Sequence, residues 1–133
     1  MQRRDVLALG AAALILPRAA LAKGVEYTPG LVKKHLDAGD TVFLDFKTSW
    51  CSTCRAQERV INALRAENPA YGKNIVFIDV DWDVFGASEL SKSLNIPRRS
   101  TLVVLKGDKE LGRIVAQTSQ SSIRALMDVA LNA

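Results

Sequence analysis

The sequence predicts an α/β fold in which a central mixed sheet with a terminal β-hairpin is flanked by helices on both faces. Two observations support this prediction. Short apolar runs with strand character alternate with longer segments whose apolar residues recur at helical spacing. Near the carboxyl end, two strand-like runs follow each other and are joined by Gly107-Asp108-Lys109, which is typical of a hairpin. We therefore expect the interleaved strands to pair in parallel and the hairpin to add antiparallel strands.

The first half of the chain contains a helix, a strand and a second helix. Thr28-Pro29 is a favourable helix start, with Thr as the N-cap and Pro at the first helical position, and Gly39 ends this helix. Residues 41–46 are largely apolar, as expected of a buried strand. After two closely spaced cysteines, a second helix continues to about Glu67, and Asn68-Pro69 stops it.

The second half contains a strand, a short helix, the hairpin and a last helix. Residues 75–80 are another apolar run of strand length, and residues 87–94 are predicted as a short helix. The two hairpin strands are expected at residues 101–106 and 110–116. Residues 119–131 carry apolar side chains at helical spacing, which predicts the final helix.

The first 22 residues have the composition of an export signal. Arg3 and Arg4 precede an uncharged apolar run at residues 6–16, which is too short to span a bilayer. Ala20-Leu21-Ala22 fits the small-residue cleavage pattern, so we expect a mature domain of residues 23–133 in the periplasm. The arginine pair resembles a twin-arginine signal, with Sec export as the other route. An N-terminal anchor or a buried helix is the alternative interpretation.

Charge and composition exclude several classes of function. The chain has 18 basic and 14 acidic residues, and the predicted signal holds three of the basic residues and one of the acidic residues. The other 111 residues therefore carry a net charge of +2 and no cluster of Lys and Arg, so a nucleic-acid partner is not expected. Two cysteines and one histidine exclude a disulfide-dense scaffold, a four-cysteine zinc site and a multi-histidine metal centre.

Cys51 and Cys54 are the candidate redox site. They lie between a predicted strand and a predicted helix, where unpaired backbone N–H groups and the helix dipole stabilise a thiolate. Residues one helical turn apart can close to a disulfide with a small local adjustment. So short a loop adds only about 2 kcal/mol of stability, which argues against a structural staple. The pair predicts thiol–disulfide exchange, with Cys51 as an outward-facing nucleophile and Cys54 as the resolving cysteine.

Other functions are compatible with the same pair. Both thiolates could bind copper or zinc in a metal-binding or metal-delivery module. The pair could also form an inert disulfide in an interaction domain, or serve a disulfide oxidase or isomerase.

Around these cysteines the chain resembles the thioredoxin superfamily. The resemblance rests on Phe43-Leu44-Asp45-Phe46 and on Trp50-Cys51-Ser52-Thr53-Cys54, and it spans about residues 42–131. It is similar to exported thioredoxin-like reductases, including the carboxyl-terminal domain of membrane electron-transfer disulfide reductases. The resemblance implies a thioredoxin fold and reduction of a partner protein's disulfide, with no cofactor besides the Cys51–Cys54 disulfide. An upstream redox protein is expected to supply electrons, because the chain has no Gly-rich nucleotide-binding loop.

The resemblance also implies roles for neighbouring residues. Asp45 takes the place of a buried aspartate that exchanges protons with Cys54, and an ion pair between Asp45 and Lys47 is the alternative. A second group of residues is expected to contact the partner: Trp50, Ser52, Thr53, Arg99, Ser100 and Thr101. We expect a monomer with no bound metal and no membrane span in the mature domain.

Two positions depart from the family pattern. Ser52-Thr53 stands where the family usually has Gly-Pro, so the family's reduction potential is not carried over. Ser100 stands where the family has a cis-proline. A cis bond before a residue other than proline costs about 2.5–4 kcal/mol, so a trans Arg99–Ser100 bond is expected. Ser100 then places a hydroxyl beside the dithiol, and Arg99 places a positive charge that favours a thiolate and an acidic partner.

Overall fold

The computed structural model describes residues 24–133, so the predicted signal and its cleavage site lie outside the described residues. The elements of the described part are, in chain order, β1 (Val25–Glu26), α1 (Leu31–Asp37), β2 (Thr41–Lys47), α2 (Ser52–Glu67), α3 (Ala70–Asn74), β3 (Ile75–Asp81), α4 (Trp82–Phe85), α5 (Glu89–Ser93), β4 (Thr101–Lys106), β5 (Lys109–Val115) and α6 (Gln120–Leu131). Between residues 24 and 133, no helix combines the length and the apolar character that a membrane crossing requires.

The five strands form one mixed sheet in the order β1-β3-β2-β4-β5. β1 and β2 both pair with β3 in parallel, whereas β4 is antiparallel to β2 and β5 is antiparallel to β4. The apolar run of β2 lies at the centre of the sheet, where both of its faces are covered. The predicted mixed sheet with a terminal hairpin is confirmed. Lys106 pairs with Lys109, so the turn consists of Gly107 and Asp108.

Helices cover both faces of the sheet, as predicted. Alternate residues of β2 face opposite sides, so Phe43 contacts one hydrophobic cluster and Leu44 the other. The first cluster contains residues of α2, α3 and α6, among them Ile61, Leu64, Tyr71, Ile123 and Met127. The second contains residues of α1 and of the segment around α4 and α5, among them Val32, Leu36, Phe85, Leu90 and Leu94.

The predicted start of the first helix is wrong by two residues. Thr28 is not its N-cap; Pro29 and Gly30 form a turn, and α1 begins at Leu31. Gly30 has φ 90°, in the left-handed region, and so cannot belong to the first helical turn. The backbone N–H of Leu31 donates to the Thr28 carbonyl at 3.0 Å, which closes this turn.

Three short elements were not predicted from the sequence. β1 has 2 residues, α3 has 5 and α4 has 4. The two helices are shorter than two helical turns, and the strand contains a single pair of alternating side chains. Such short segments show no periodicity that could be recognised in the sequence. The predicted helix at residues 87–94 is present as α5, shortened to Glu89–Ser93.

Candidate active site

The two cysteines lie at the amino end of α2, just after the end of the central strand β2. Cys51 is the N-cap of α2, and its sulfur accepts a hydrogen bond from the Cys54 backbone N–H at 3.1 Å. Both residues are free thiols and both are buried. Cys51 is only 3% exposed, so the prediction of an outward-facing nucleophile needs correction. Its sulfur takes the place of the capping oxygen and thereby points back toward the helix end.

Ser100 joins the two cysteines. Its Oγ lies 3.3 Å from Sγ of Cys51 and 3.1 Å from Sγ of Cys54, so one hydroxyl contacts both sulfurs. Ser100 has no exposed surface, and the Arg99–Ser100 peptide bond is trans, as expected. The predicted position of this hydroxyl beside the dithiol therefore agrees with the structure.

The backbone of Ser100 is strained and firmly held. Its φ of 67° lies in the left-handed region, which costs a residue other than glycine about 1 kcal/mol or more. Its N–H donates to the Phe46 carbonyl at 2.7 Å, and its own carbonyl accepts from the Ala116 N–H at 2.8 Å and from Nε2 of Gln57 at 3.1 Å. Three separate elements of the fold thus fix this residue.

The pKa values of the two thiols move in opposite directions. Burial acts to raise the pKa of Cys51, but hydrogen bonds to its sulfur, chiefly from Cys54 and Ser100, outweigh burial and lower this pKa to about 6. Burial raises the pKa of Cys54, and the hydrogen bond to Cys51 raises it further. At neutral pH Cys51 is therefore mostly a thiolate, whereas Cys54 keeps its proton.

Trp50 and Arg99 form a stacked pair beside the dithiol. The guanidinium carbon of Arg99 lies 4.4 Å from the centre of the Trp50 ring, within the range of a cation–π interaction. The indole N–H of Trp50 donates to a carboxylate oxygen of Asp83 at 2.9 Å, while 56% of the residue is exposed. Arg99 also contributes to the low pKa of Cys51. The pair brings a fixed positive charge and an exposed aromatic surface to the site.

Asp45 lies on the central strand β2, which ends just before the two cysteines, and is 5% exposed. Burial, which disfavours the charged carboxylate, raises the pKa of Asp45 to about 8, although the positive charge of Lys47 acts in the opposite direction. Its Oδ1 is buried without a hydrogen-bond partner. Nζ of Lys47 forms ion pairs with Glu58 at 3.2 Å and with Asp79 at 3.8 Å, so its carboxylate contacts are these two residues.

A cavity of about 20 Å³ adjoins Asp45. Such a volume is enough for one water molecule. Its polar lining comes from β2, α2 and β3: Asp45, Lys47, Glu58, Asn62, Arg65 and Asp79. The buried carboxyl group therefore borders a small polar space.

The residues predicted to contact a partner divide into two groups. Trp50 and Ser52 are exposed, and Thr53 and Arg99 are half-buried, so these four can form a rim. Ser100 and Thr101 have no exposed surface, so the prediction that their side chains face a partner is wrong. Thr101 is the first residue of β4 and Ser100 directly precedes it; β4 lies inside the sheet, between β2 and β5, and its first five residues are buried.

Gln57 and Asp83 belong to the site but were not predicted from the sequence. Gln57 is fully buried, and its Nε2 donates to the carbonyls of Ser100 and Gln117. The four buried residues of α2 are Cys54, Gln57, Ile61 and Leu64. A glutamine at this otherwise apolar spacing was a readable signal of a buried polar contact. Nothing local to Asp83 indicates its contact with Trp50, which lies 33 residues away.

One cysteine of the pair is held as a thiolate while the other keeps its proton, which is the arrangement that thiol–disulfide exchange requires. The fold and the dithiol therefore place this chain among the thiol–disulfide oxidoreductases. The sequence profile of the thioredoxin family matches residues 25–129, and the chain belongs to that family.

Individual relatives agree with this assignment. Thioredoxin from Chlamydia trachomatis is 33% identical over 90 residues, which cover 68% of this chain and 82% of that protein. Thioredoxin H2-1 from rice, Oryza sativa subsp. japonica, is 28% identical over 81 residues; the match covers 61% of this chain but only 54% of the rice protein's length. The crystal structure of Trxlp from Edwardsiella tarda has a TM-score of 0.67 at 27% identity, covering 77% of this chain and 98% of that chain.

Proposed function

We propose that this protein is exported to the periplasm and there reduces disulfides of partner proteins, with Cys51 as the nucleophile and Cys54 as the resolving cysteine. The observation that carries the proposal is the divergence of the two thiol pKa values, with that of Cys51 lowered to about 6 and that of Cys54 raised. Only a thiolate attacks a disulfide, so Cys51 can attack the substrate while Cys54 stays protonated until it resolves the mixed disulfide.

The proposed reaction has two steps. In the first, the Cys51 thiolate attacks one sulfur of the substrate disulfide; a mixed disulfide forms, and the other substrate sulfur leaves with the bonding electron pair. In the second, Cys54 loses its proton and attacks Sγ of Cys51, which forms the Cys51–Cys54 disulfide and releases the second substrate thiolate. The substrate gains two electrons, and the protein is left oxidised.

Asp45 is the proposed acceptor of the Cys54 proton. A carboxyl group with a pKa of about 8 exists in both protonation states near neutral pH, which suits a group that takes up and releases a proton there. The adjacent cavity of about 20 Å³ has room for one water that would connect the carboxyl group with its polar surroundings.

Substrate contact is assigned to the rim of Trp50, Ser52, Thr53 and Arg99. The exposed indole offers apolar contact area, and the stacked guanidinium offers a positive charge beside the attacking sulfur. A disulfide flanked by acidic residues fits this rim better than one flanked by basic residues.

The periplasmic location rests on the sequence of residues 1–22, with its arginine pair, apolar run and small-residue cleavage pattern. In that compartment the oxidised protein has to be reduced again, and the proposed electron source is an upstream protein with its own dithiol. The protein is proposed to act as a monomer.

Reduction of insulin by dithiothreitol tests the proposed chemistry. Addition of the protein should accelerate insulin precipitation, Cys51→Ser should abolish the acceleration, and Cys54→Ser should trap mixed disulfides that mass spectrometry detects. Ser121→Ala, on an exposed serine at the start of α6, is the control and should behave as the wild type. Exchange activity that survives Cys51→Ser would refute the mechanism. Stoichiometric tight binding of copper or zinc by the reduced protein, without any insulin reduction, would replace it with a metal-binding function.

The reduction potential of the Cys51–Cys54 couple tests the proposed direction of electron flow. A potential near about −270 mV is that of a thioredoxin-type reductant, whereas one near about −120 mV belongs to a strong oxidant. Equilibration with glutathione buffers of known potential gives this value. A result at the oxidising end would favour disulfide formation as the biological reaction.

Export is tested by fractionating bacterial cells that produce the full chain. The periplasmic fraction should contain a shortened protein whose amino-terminal residue is Lys23. Replacing Arg3 and Arg4 by lysine should hold the full-length chain in the cytoplasm if the twin-arginine route is used. Recovery of the uncut chain in the cytoplasm of cells producing the wild type would contradict the proposed location.

A further inference from the structure

Ser100 has a hydroxyl group whose two hydrogen-bond contacts are the two sulfur atoms that react. The distances of 3.3 Å to Cys51 and 3.1 Å to Cys54 differ little, so the geometry favours neither sulfur strongly. Ser100 is fully buried, which keeps bulk water from competing for its proton. A hydroxyl carries one proton and two lone pairs and can rotate, so it can donate to one sulfur while it accepts from the other.

On the basis of the proposed dithiol function, we propose that Ser100 is a further catalytic residue whose hydroxyl acts as a hydrogen-bond switch. It donates to the Cys51 thiolate before the substrate is attacked, and it donates to the Cys54 thiolate while the mixed disulfide is resolved. Nothing in the family's usual proline can supply this hydrogen bond, because proline has no side-chain donor.

The backbone around Ser100 keeps the hydroxyl in place during this exchange. Its left-handed φ of 67° is stabilised by hydrogen bonds to Phe46 in β2, to Ala116 just after β5 and to Gln57 in α2. A strained conformation persists only where its surroundings determine it from several sides, and such positions are frequent at active sites. Because Oγ already lies within 3.3 Å of both sulfurs, rotation of the hydroxyl proton about the Cβ–Oγ bond is then sufficient to redirect the O–H.

In the resting dithiol, the Cys51 thiolate accepts hydrogen bonds from Ser100 Oγ and from the Cys54 thiol, whose sulfur lies 3.1 Å from the same hydroxyl oxygen. Formation of the mixed disulfide removes the negative charge from Cys51, so this sulfur becomes a poor acceptor. As Cys54 loses its proton to Asp45, the hydroxyl turns and donates to the new thiolate. The Cys54 thiolate then attacks Sγ of Cys51; the Cys51–Cys54 bond forms, the bond from Cys51 to the substrate sulfur breaks, and that sulfur leaves with the electron pair.

Two variants remove the hydroxyl. Ser100→Ala removes the hydroxyl but keeps the Cβ atom. Ser100→Gly removes both and relieves the strain of the left-handed φ, so at least the glycine variant should fold. Ser91→Ala is the matched control, since Ser91 is another buried serine whose Oγ donates to a backbone carbonyl, that of Phe85. Circular dichroism and thermal unfolding confirm that all three variants are folded.

The first readout is the titration of the Cys51 thiolate by its absorbance at 240 nm. Removal of the hydroxyl should raise the pKa of Cys51 by about one unit, the effect of losing one hydrogen bond to a charged group. Ser91→Ala should leave the pKa unchanged. This readout needs no substrate protein and stands apart from any enzymatic activity.

The second readout is the reaction with 5,5′-dithiobis(2-nitrobenzoate) in a stopped-flow instrument. Attack by Cys51 releases one equivalent of thionitrobenzoate, and resolution by Cys54 releases a second equivalent, so the two phases report the two steps. Ser100→Gly and Ser100→Ala should slow the second phase about tenfold, as loss of a charge-assisted hydrogen bond predicts. Cys54→Ser should lack the second phase and identifies it.

The switch is overturned if either readout is unchanged in both hydroxyl-free variants, even when the wild type reduces insulin normally. Conversely, a raised pKa together with a slowed second phase supports the switch even if the wild type fails to reduce insulin, in which case only the proposed reductase function is lost. A change of the same size in Ser91→Ala would attribute the effects to general destabilisation and would also overturn the switch.

Discussion

Cys51 and Asp45 are both buried acids, yet their pKa values move in opposite directions. Burial acts to raise the pKa of each group. The sulfur of Cys51 accepts hydrogen bonds from a backbone N–H and from Ser100, whereas Oδ1 of Asp45 has no partner. Donors aimed at the charged form therefore decide the outcome. One residue is prepared as a nucleophile and the other as a proton carrier.

The low pKa of Cys51 predicts the pH profile of its alkylation. The rate with iodoacetamide should rise with a midpoint near pH 6, since the pKa is about 6 and only the thiolate reacts. Mass spectrometry should locate the modification on Cys51 below pH 8, and Cys51→Ser should react slowly there because the pKa of Cys54 is raised. A midpoint above pH 8 would contradict the arrangement of donors described for this sulfur.

The raised pKa of Asp45 predicts how stability depends on pH. Because the folded-state pKa is about 8, against an ordinary value of 3.8, this carboxyl group favours folding at low pH, and the contribution is lost as pH rises to 8. Asp45→Asn removes the dependence. Relative to the wild type, its free energy of unfolding should increase by about 4–5 kcal/mol between pH 4 and pH 8, measured by urea denaturation.

Asp108→Asn, in the exposed turn of the hairpin, is the control for that comparison and should change stability little at any pH. If Asp45→Asn and the wild type differ by a constant amount across the whole range, the carboxyl group is not buried in its neutral form.

At the level of elements, the sequence was sufficient where a segment was long and its periodicity strong. β2, β3 and α2 lie where the sequence predicted them, and α6 begins one residue after its predicted start. Elements of five residues or fewer escaped prediction because they hold too few side chains for a pattern. The start of α1 was misplaced because Thr28-Pro29 is a good helix start in isolation, whereas the conformation of Gly30 delays the helix to Leu31.

Two glycines in or beside helices predict stability changes of opposite sign. Gly30 precedes α1 with φ 90°, and a Cβ there meets nothing within 4 Å, so Gly30→Ala should cost about 1 kcal/mol for conformational reasons alone. Gly72 lies inside α3, where a Cβ would be in ordinary contact with Arg65 at 3.6 Å, so Gly72→Ala should stabilise by about 0.5–1 kcal/mol.

Denaturant unfolding of the two alanine variants measures both changes. Insulin reduction should stay at the wild-type level in each, because neither glycine contacts the dithiol. Equal effects of the same sign would show that the conformation assigned to Gly30 is wrong.

For the whole molecule, the site is assembled by topology as much as by the cysteine motif. The order β3-β2-β4 brings Ser100, 49 residues after Cys51, under the dithiol at the end of the central strand. The sequence located Cys51, Cys54 and Asp45, because these lie within one strand–turn–helix unit. Through the family resemblance it also placed the Ser100 hydroxyl beside the dithiol. It was wrong to place the side chains of Ser100 and Thr101 on a contact rim, since nothing in a local pattern shows that both residues are fully buried.

Charge on the dithiol is also linked to the stability of the entire domain. A thiol whose folded-state pKa is lowered, here from 9.0 to about 6, stabilises the reduced protein above the unfolded pKa, and this stabilisation is lost as pH falls through 6. Asp45 acts in the opposite sense and interacts electrostatically with Cys51, so the two dependences overlap in the wild type. An Asp45→Asn background separates them.

The reduced Asp45→Asn protein should therefore gain stability over the reduced Asp45→Asn/Cys51→Ser protein as pH rises. The difference in the free energy of unfolding, measured by urea denaturation with a phosphine reductant, should grow by about 1 kcal/mol between pH 5 and 7 and by about 3 kcal/mol between pH 5 and 9. Oxidised Asp45→Asn protein has no thiolate and should show no such growth. A difference that stays constant from pH 5 to 9 would mean that folding does not stabilise the Cys51 thiolate, and the roles assigned to the two cysteines would then lose their physical basis.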